Sequence, residues 1–232
     1  MTAMLASVRN EEEAALARAA GADIIDLKDP DRGALGALDT DLVRHILNKS
    51  DKDRPFSATI GDVPFRADRI GPMVTAMAET GVDYVKVGVF GNPEDVESLR
   101  TLQAASLRGI QVVLVLFAED PFPRDFGVYA RHGVAGIMLD TRDKHSGSLR
   151  DKLPDRQLQA FVAQTRAVKL YCGLAGSLSS ADIPALTALA PDYLGFRGAL
   201  CSKHCRTAGL DGEAIRQIRL SLAETGGISQ CA

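Results

Sequence analysis

Two kinds of apolar pattern alternate along the whole chain. Short apolar runs rich in β-branched residues are typical of buried strands, and the longer stretches between them are typical of amphipathic helices. The pattern predicts eight strands, at residues 4–7, 22–28, 56–60, 83–88, 110–117, 134–140, 168–174 and 192–196. It predicts a helix after each strand, at residues 11–20, 40–48, 68–80, 93–108, 125–132, 154–166, 179–190 and 211–225.

Three of the turns that lead from a helix into the next strand are almost alike. Gly21, Gly81 and Gly133 each follow a predicted helix and stand just before a strand. A glycine at this point supplies the left-handed backbone conformation that ends many helices. Strands that alternate with helices favour a parallel sheet. Eight such units favour an α/β fold closed into a (β/α)8 TIM barrel over an open sheet.

No linker rich in proline or serine interrupts the pattern, so we expect one domain over residues 1–225 and a frayed tail at residues 226–232. A barrel of this type typically needs about 250 residues, close to the 232 present. The apolar part of residues 1–10 is too short for a signal peptide, and no apolar run approaches the roughly 20 residues of a membrane span.

Composition further narrows the range of possible functions. A formal net charge of −3 gives no basic field that would attract nucleic acid or an anionic membrane. The four cysteines show neither a disulfide-scaffold spacing nor a CxxC motif. We therefore expect a cytoplasmic enzyme with reduced thiols, and the sequence leaves a homo-oligomer open.

Two lysines and two aspartates stand near the ends of even-numbered strands. Lys28 closes the second predicted strand, Lys86 lies near the end of the fourth, and Asp140 ends the sixth. Asp26 shares a side with Lys28, because side chains alternate along a strand. A buried charge is costly unless it is paired or has a chemical task. Alternate strands of a barrel share one interior layer, so we expect these four residues in one cavity at the strand C-termini.

The lysines suggest Schiff-base chemistry. A lysine amine is nucleophilic only after it loses its proton, and both burial and a second cation lower its pKa. The neutral amine can attack an aldehyde or ketone, and the protonated imine then acts as an electron sink for making or breaking carbon–carbon bonds. We expect Lys28, beside the loop at residues 29–37, to form the imine and Lys86 to move protons. The structural alternative is that both lysines are ion-pair partners that extend towards solvent.

The loops after the seventh and eighth strands often bind phosphate in this fold. Here Gly176, Ser177 and Gly198 can offer backbone N–H groups, and Arg197 could add a bidentate donor. Glycine-rich turns are common, so neither loop alone would indicate a binding site. Both loops together, at the expected positions, predict an anion site. The loop at residues 29–37 also has two glycines that would allow close approach to a ligand, or it is a plain connecting turn.

The sequence gives little support for a metal site or a nucleotide-cofactor site. Cys201, His204 and Cys205 cluster, but their spacing is not a standard zinc pattern and favours a solvated loop. No GxGxxG motif follows the first strand and no Walker motif is present, so we predict no cofactor and no metal.

Six stretches, taken together and in order, resemble one known family. They are residues 22–37, 57–62, 83–88, 138–144, 174–178 and 195–201. The family is that of the (5-formylfuran-3-yl)methyl phosphate synthases, also called 4-(hydroxymethyl)-2-furancarboxaldehyde phosphate synthases. The resemblance spans about residues 3–220. The lysine motifs carry it, whereas the glycine loops alone would not.

The resemblance implies a lyase with a class I aldolase-like TIM barrel that condenses two glyceraldehyde 3-phosphate molecules, with loss of phosphate and water. The furan aldehyde phosphate product would serve biosynthesis of methanofuran-type cofactors in C1 metabolism. Lys28 matches the family's Schiff-base lysine, and Lys86 matches its proton-accepting lysine. Asp140 and Lys144 match its acidic and basic helpers.

The chain departs from the family pattern at three places, of which the Cys172–Gly173 start of the loop after the seventh strand is a minor one. Ala34 stands where the family often has serine, and residues 201–207 lack the family's usual glycines, which leaves the phosphate contacts at that end open. Two other functions remain as alternatives. One is a Schiff-base aldolase that acts on a different sugar phosphate, and the other is a non-catalytic binding barrel whose lysines need not be reactive.

Overall fold

The computed structural model describes residues 2–51 and 53–227. Eight parallel strands form a closed barrel in sequence order, which confirms the predicted (β/α)8 fold. The strands are β1 (Ala3–Val8), β2 (Ile24–Leu27), β3 (Phe56–Thr59), β4 (Tyr84–Gly88), β5 (Val112–Phe117), β6 (Gly136–Asp140), β7 (Tyr171–Leu174) and β8 (Tyr193–Phe196). The helices are α1 (Glu11–Ala19), α2 (Thr40–Lys49), α3 (Ala67–Ala78), α4 (Val96–Leu107), α5 (Gly127–Arg131), α6 (Leu149–Lys152), α7 (Asp155–Ala167), α8 (Ile183–Thr187) and α9 (Gly212–Gly227).

Element boundaries differ from the predicted ones for local reasons. The helix expected to start at Pro93 starts at Val96, because Asp95 caps it by accepting the backbone N–H of Ser98. Helix α6 has only four residues, too few for a recognisable period, and the sequence did not predict it. The last helix continues to Gly227. Residues 228–232 lie outside the described residues, so the frayed tail stays a prediction.

The recurring glycine turns set the strands in register. They adopt the predicted left-handed conformation, with φ of +97°, +93° and +71° at Gly21, Gly81 and Gly133. In two of these turns an aspartate comes two residues later. Asp23 accepts the backbone N–H of Met4 at 2.8 Å, and Asp83 accepts that of Phe56 at 2.7 Å. Each aspartate therefore holds the start of the preceding strand beside the start of its own.

Apolar side chains pack on both sides of the barrel wall. The larger layer lies between strands and helices, and the smaller one fills the barrel interior with Leu5, Val113, Val115 and Met138 among others. Burying one such side chain contributes roughly 1.5–3 kcal/mol, so the two layers make the wall a rigid support for the polar groups it carries. Within the described part of the chain, no helix is long and apolar enough to cross a membrane.

Candidate active site

Charged side chains gather inside the barrel near the C-terminal ends of the strands. Asp26 on β2, Lys86 on β4 and Asp140 on β6 are 0%, 2% and 1% exposed. Lys28 directly follows β2 and is 7% exposed. Alternate strands point residues into the same interior layer, which is why the three even strands bring these groups together.

Asp26 and Lys86 form a desolvated ion pair. Lys86 Nζ lies 3.0 Å from Asp26 Oδ1. Asp26 also accepts hydrogen bonds from Ser57 Oγ at 2.6 Å and Ser7 Oγ at 3.0 Å, on the two neighbouring strands. Burial alone would raise the pKa of Asp26, but the charges of Lys86 and Lys28 outweigh it and hold that pKa below its usual value. Asp26 is therefore an ionised carboxylate.

Asp140 and Lys144 form a second ion pair on the loop that leaves β6. Lys144 Nζ donates to Asp140 and to the carbonyl oxygen of Thr141. The backbone N–H of Thr141 donates to Asp140 Oδ1 at 2.7 Å. Burial would raise the pKa of Asp140, but the charges of Lys144 and Lys28 lower it further than burial raises it. This second aspartate is also ionised.

Lys28 lies among these groups without a carboxylate of its own. Within the described residues, its Nζ takes part in no ion pair or hydrogen bond, while each buried aspartate is already paired. Burial is the largest cause that lowers its pKa, from 10.5 to about 8. Asp140 and Asp26 raise that pKa, whereas Lys144 and Lys86 lower it. The lowered pKa makes a fraction of Lys28 neutral at pH 7.

A cavity of about 350 Å³ opens at this end of the barrel. Lys28, Asp140 and Lys144 line it, but Asp26 and Lys86 do not. The expectation that all these groups share one cavity surface is thus met only in part. Both members of the Asp26–Lys86 pair are buried. Most of the remaining lining comes from the loops after β7 and β8.

These two loops carry unpaired backbone donors. Gly176, Ser177 and Gly198 line the cavity, and their N–H groups donate to no residue that the structure describes. Gly176 has φ +114°, and a Cβ there would lie 2.9 Å from the backbone nitrogen of Thr141, so only glycine fits. Ser177 Oγ donates to the carbonyl oxygen of Lys144 at 3.1 Å, which ties the loop after β7 to the second ion pair.

Arg197 has a different role from the predicted one. Its Nε donates to the carbonyl oxygen of Arg206 at 2.8 Å, and its terminal nitrogens donate to the carbonyl oxygens of Ser7 and Ala208 and to both carboxylate oxygens of Glu13. All five N–H groups are thereby used, and the side chain is 6% exposed. Arg197 does line the cavity, but its guanidinium anchors the loop after β8 to α1 and has no N–H group left for the predicted bidentate contact with phosphate.

Arg206 supplies a guanidinium that sequence reasoning missed. It is partly buried, lines the cavity and donates from Nη2 to the carbonyl oxygen of Gly33 at 3.1 Å. Its other guanidinium N–H groups donate to no described residue. Lys203 and His204 precede it in left-handed conformations, with φ of +56° and +54°, in the segment without the family's usual glycines. Their unusual backbone gave no sequence signal that Arg206 would reach the cavity.

The cysteine and histidine cluster after β8 lies beside the same cavity. His204 and Cys205 line it, whereas Cys201 is buried and its thiol lies 3.2 Å from the carbonyl oxygen of Arg197. Over residues 2–51 and 53–227, no group of three or more histidine, cysteine, aspartate or glutamate side chains could hold a metal ion.

The barrel and its lysine–carboxylate cluster define a class, that of TIM-barrel proteins with polar groups at the strand C-termini. Solved structures match almost the whole chain. Phosphoribosyl anthranilate isomerase from Thermus thermophilus has a TM-score of 0.66 at 16% identity, and the match covers 97% of this chain and 99% of that one. For 3-hexulose-6-phosphate synthase from Salmonella typhimurium the TM-score is 0.64 at 19% identity, with coverages of 95% and 100%. At these identities the likeness shows the fold alone.

Sequence relatives are more specific. The family profile described as 4-HFC-P synthase matches residues 4–219. A Methylorubrum extorquens protein provisionally named (5-formylfuran-3-yl)methyl phosphate synthase is 43% identical over 215 residues, which cover 92% of this chain and 89% of that protein. The (5-formylfuran-3-yl)methyl phosphate synthase of Methanopyrus kandleri is 34% identical over 236 residues, covering 95% and 98%. This chain belongs to the 4-HFC-P synthase family.

Proposed function

We propose that this chain is a lyase that condenses two molecules of glyceraldehyde 3-phosphate through a lysine Schiff base, with loss of phosphate and water. The product would be (5-formylfuran-3-yl)methyl phosphate, for methanofuran-type cofactor biosynthesis. Family membership and the names of the relatives support this product. The observation that carries the mechanism is Lys28, a buried amine with a pKa of about 8 at the cavity surface.

Lys28 is placed to attack a carbonyl carbon. Its neutral amine adds to the carbonyl of one triose phosphate, and loss of water gives the imine. The protonated imine withdraws electrons through its carbon, so the next carbon of the triose can lose a proton to give an enamine and then add to the aldehyde of the second triose. An amine with a pKa of about 8 is neutral in roughly one molecule in ten at pH 7, enough to begin the reaction.

The two ion pairs divide the proton transfers. Asp140 and Lys144 line the cavity, so they can exchange protons with bound substrate at the imine and at the leaving oxygens. Lys86 and Asp26 lie deeper, near enough for their charges to act on Lys28, and the carboxylate of this pair is suited to take up the proton that the carbon next to the imine carbon releases. This arrangement keeps proton donors and acceptors on both sides of the reacting carbon.

The loops after β7 and β8 would hold the phosphate. Gly176, Ser177 and Gly198 offer backbone N–H groups, and Arg206 adds a charged donor at the same cavity. A phosphate there would leave the carbonyl end of a triose free to reach Lys28. The proposal therefore replaces Arg197 by Arg206 as the arginine of the phosphate site.

Incubation with glyceraldehyde 3-phosphate alone, followed by mass and absorbance analysis, tests this function. The proposed enzyme forms a furan chromophore, and cyanoborohydride attaches a stable adduct to Lys28. Lys28→Ala should lose both the adduct and the product. An aldol sugar phosphate without a furan would identify a different Schiff-base aldolase. Absence of both adduct and turnover would leave a non-catalytic binding barrel.

A further inference from the structure

The Asp26–Lys86 pair is separated from the barrel mouth by three apolar side chains, Leu35, Phe90 and Phe117, which we call the apolar cap. Leu35 and Phe117 are buried, and the rings of Phe90 and Phe117 lie 4.7 Å apart. All three belong to the apolar cluster of the barrel interior.

The position of the cap follows from β4. Gly88 lies two residues after Lys86 on this strand, so its missing side chain would point into the barrel one layer nearer the mouth. A Cβ at Gly88 would overlap the ring of Phe90 and lie 2.7 Å from Leu35 Cδ1. Leu35 and Phe90 therefore occupy the space directly above Lys86, which explains why Lys86 does not line the cavity although Lys28 does.

Leu35 reaches the cap from the loop after β2, and a carboxylate from the next strand's loop holds it there. Asp62 accepts the backbone N–H of Leu35 at 2.7 Å and that of Ala34 at 2.9 Å, one on each oxygen. Gly33 has φ +109°, and a Cβ there would overlap the Asp62 carboxylate, so the glycine allows this close approach. Asp62 ends the motif at residues 57–62, which has no role at the cavity itself.

A second contact holds the same loop from inside the barrel. Thr59 stands beside Lys86 in the register of β3 and β4, and its Oγ1 donates to the carbonyl oxygen of Gly36 at 2.9 Å. The loop is thus fixed on both sides of Leu35 by residues of β3 and its following loop. Asp62 is the exposed one of the two, so its substitution removes no buried side chain.

We propose that Asp62 is a positioning residue: it keeps Leu35 in the apolar cap and thereby keeps water away from the Lys86–Asp26 pair. The role in catalysis rests on the proposed function, because it matters only if Lys86 moves protons. A shielded pair exchanges protons with Lys28 or with bound substrate, whereas an open pair would exchange them with bulk water.

Trace acetylation with labelled acetic anhydride, followed by peptide mass mapping, tests the cap without any substrate. In the unaltered protein, Lys86 should react about a hundredfold more slowly than the exposed Lys169, because it reacts only in molecules that have opened. Asp62→Asn replaces one accepting oxygen by an NH2 group, which cannot accept a hydrogen bond from the backbone N–H of Ala34 or Leu35. Leu35→Ala shortens the cap and leaves the backbone hydrogen bonds to Asp62 in place.

Both variants should raise the acetylation rate of Lys86 about tenfold, the effect of removing one charged hydrogen bond or part of the cap from the closed state. The matched control is Asp68→Asn, which removes an exposed carboxylate of α3 that pairs with Arg66 and should leave Lys86 protected. In turnover, both variants should lower kcat; Leu35→Ala should do so with little change in KM, because it leaves in place the carbonyl oxygen of Gly33 that accepts from Arg206 at the cavity.

Several results would overturn the inference. Acetylation of Lys86 as fast as that of Lys169 in the unaltered protein would show that no cap shields it, whether or not any variant folds. Unchanged protection in folded Asp62→Asn and Leu35→Ala proteins would remove the role of Asp62. Faster acetylation with unaltered kcat would refute its role in the reaction. An unaltered protein that forms no furan would refute the proposed function instead, while the acetylation result would still judge the cap.

Discussion

The lowered pKa of Lys28 can be measured without substrate, so it tests the mechanism directly. The experiment varies the pH and follows the reactivity of the Lys28 amine. Burial among two carboxylates and two other ammonium groups lowers this pKa from 10.5 to about 8. At pH 7 about one Lys28 in ten would be neutral, against about one in three thousand for an ordinary lysine, a gain of roughly 300-fold in reactive amine. Because the neutral amine is the reactive form, its labelling should rise with pH and level off above about 9.

The assay is trace acetylation from pH 6 to 11 with each lysine peptide quantified by mass spectrometry. We expect a midpoint near 8 for Lys28, as the pKa requires, and near 10.4 for a lysine in an unstructured reference peptide. The midpoint is independent of how easily the reagent enters the cavity, which alters only the plateau. A midpoint above about 10 for Lys28 would refute the reasoning, because too little neutral amine would then exist at pH 7. Trapping of the substrate adduct on Lys86 would reverse the roles of the two lysines.

Three further substitutions have distinct expected outcomes. Lys144→Gln removes a charge that lowers the pKa of Lys28, so the midpoint of the acetylation titration should move to higher pH; a downward shift would contradict this. Arg206→Ala should raise KM for triose phosphate about tenfold to a hundredfold, the worth of one charged hydrogen bond, with the melting temperature nearly unchanged. Arg197→Ala leaves the buried Glu13 with Arg9 as its remaining charged partner and removes the anchor of the loop after β8, which costs up to about 3–5 kcal/mol and should lower the melting temperature by roughly 10 °C. Equal melting temperatures for the two arginine variants would contradict the assignment of their roles.

The barrel and the charged layer could be predicted because both follow from periodic patterns. A period of two along each strand and the alternation of strands around the barrel were enough to expect Asp26, Lys86 and Asp140 in one layer. How far each of these side chains lies below the cavity surface was not predictable in the same way. Whether a side chain lines the cavity or lies under a cap depends on what fills the space above it. For Lys86 this is decided by Leu35, which comes from a loop about 50 residues earlier in the chain.

Arg197 and Arg206 show a second limit of prediction from the sequence. Arg197 stands at a loop that often binds phosphate, and its neighbours offered no sign of another partner. That partner is Glu13 on α1, 184 residues away in sequence, and no local pattern reports such a contact. Before Arg206 the chain turns through left-handed backbone conformations at Lys203 and His204, and a lysine gives no sign of such a conformation in a sequence. Both arginines line the cavity, and their contacts, not their residue type, decide which guanidinium keeps N–H groups that donate to no described residue.

The charge count explains why Lys28 is an amine that can become neutral. From the strands alone, the buried cluster would contain two lysines and two aspartates, and every charge could be paired. Lys144 returns from the loop after β6 to pair with Asp140, and Asp26 is already paired with Lys86. Three ammonium groups then share two carboxylates, so one buried cation has no partner.

A buried charge without a partner is the one that loses its ionisation most readily. Lys28 is that group, and it is also the one lysine of the three that lines the cavity without an ion pair among the described residues. The Asp140–Lys144 pair thus contributes more than a proton donor. By using the second carboxylate, Lys144 leaves the amine of Lys28 free to react at the point where a substrate carbonyl would enter.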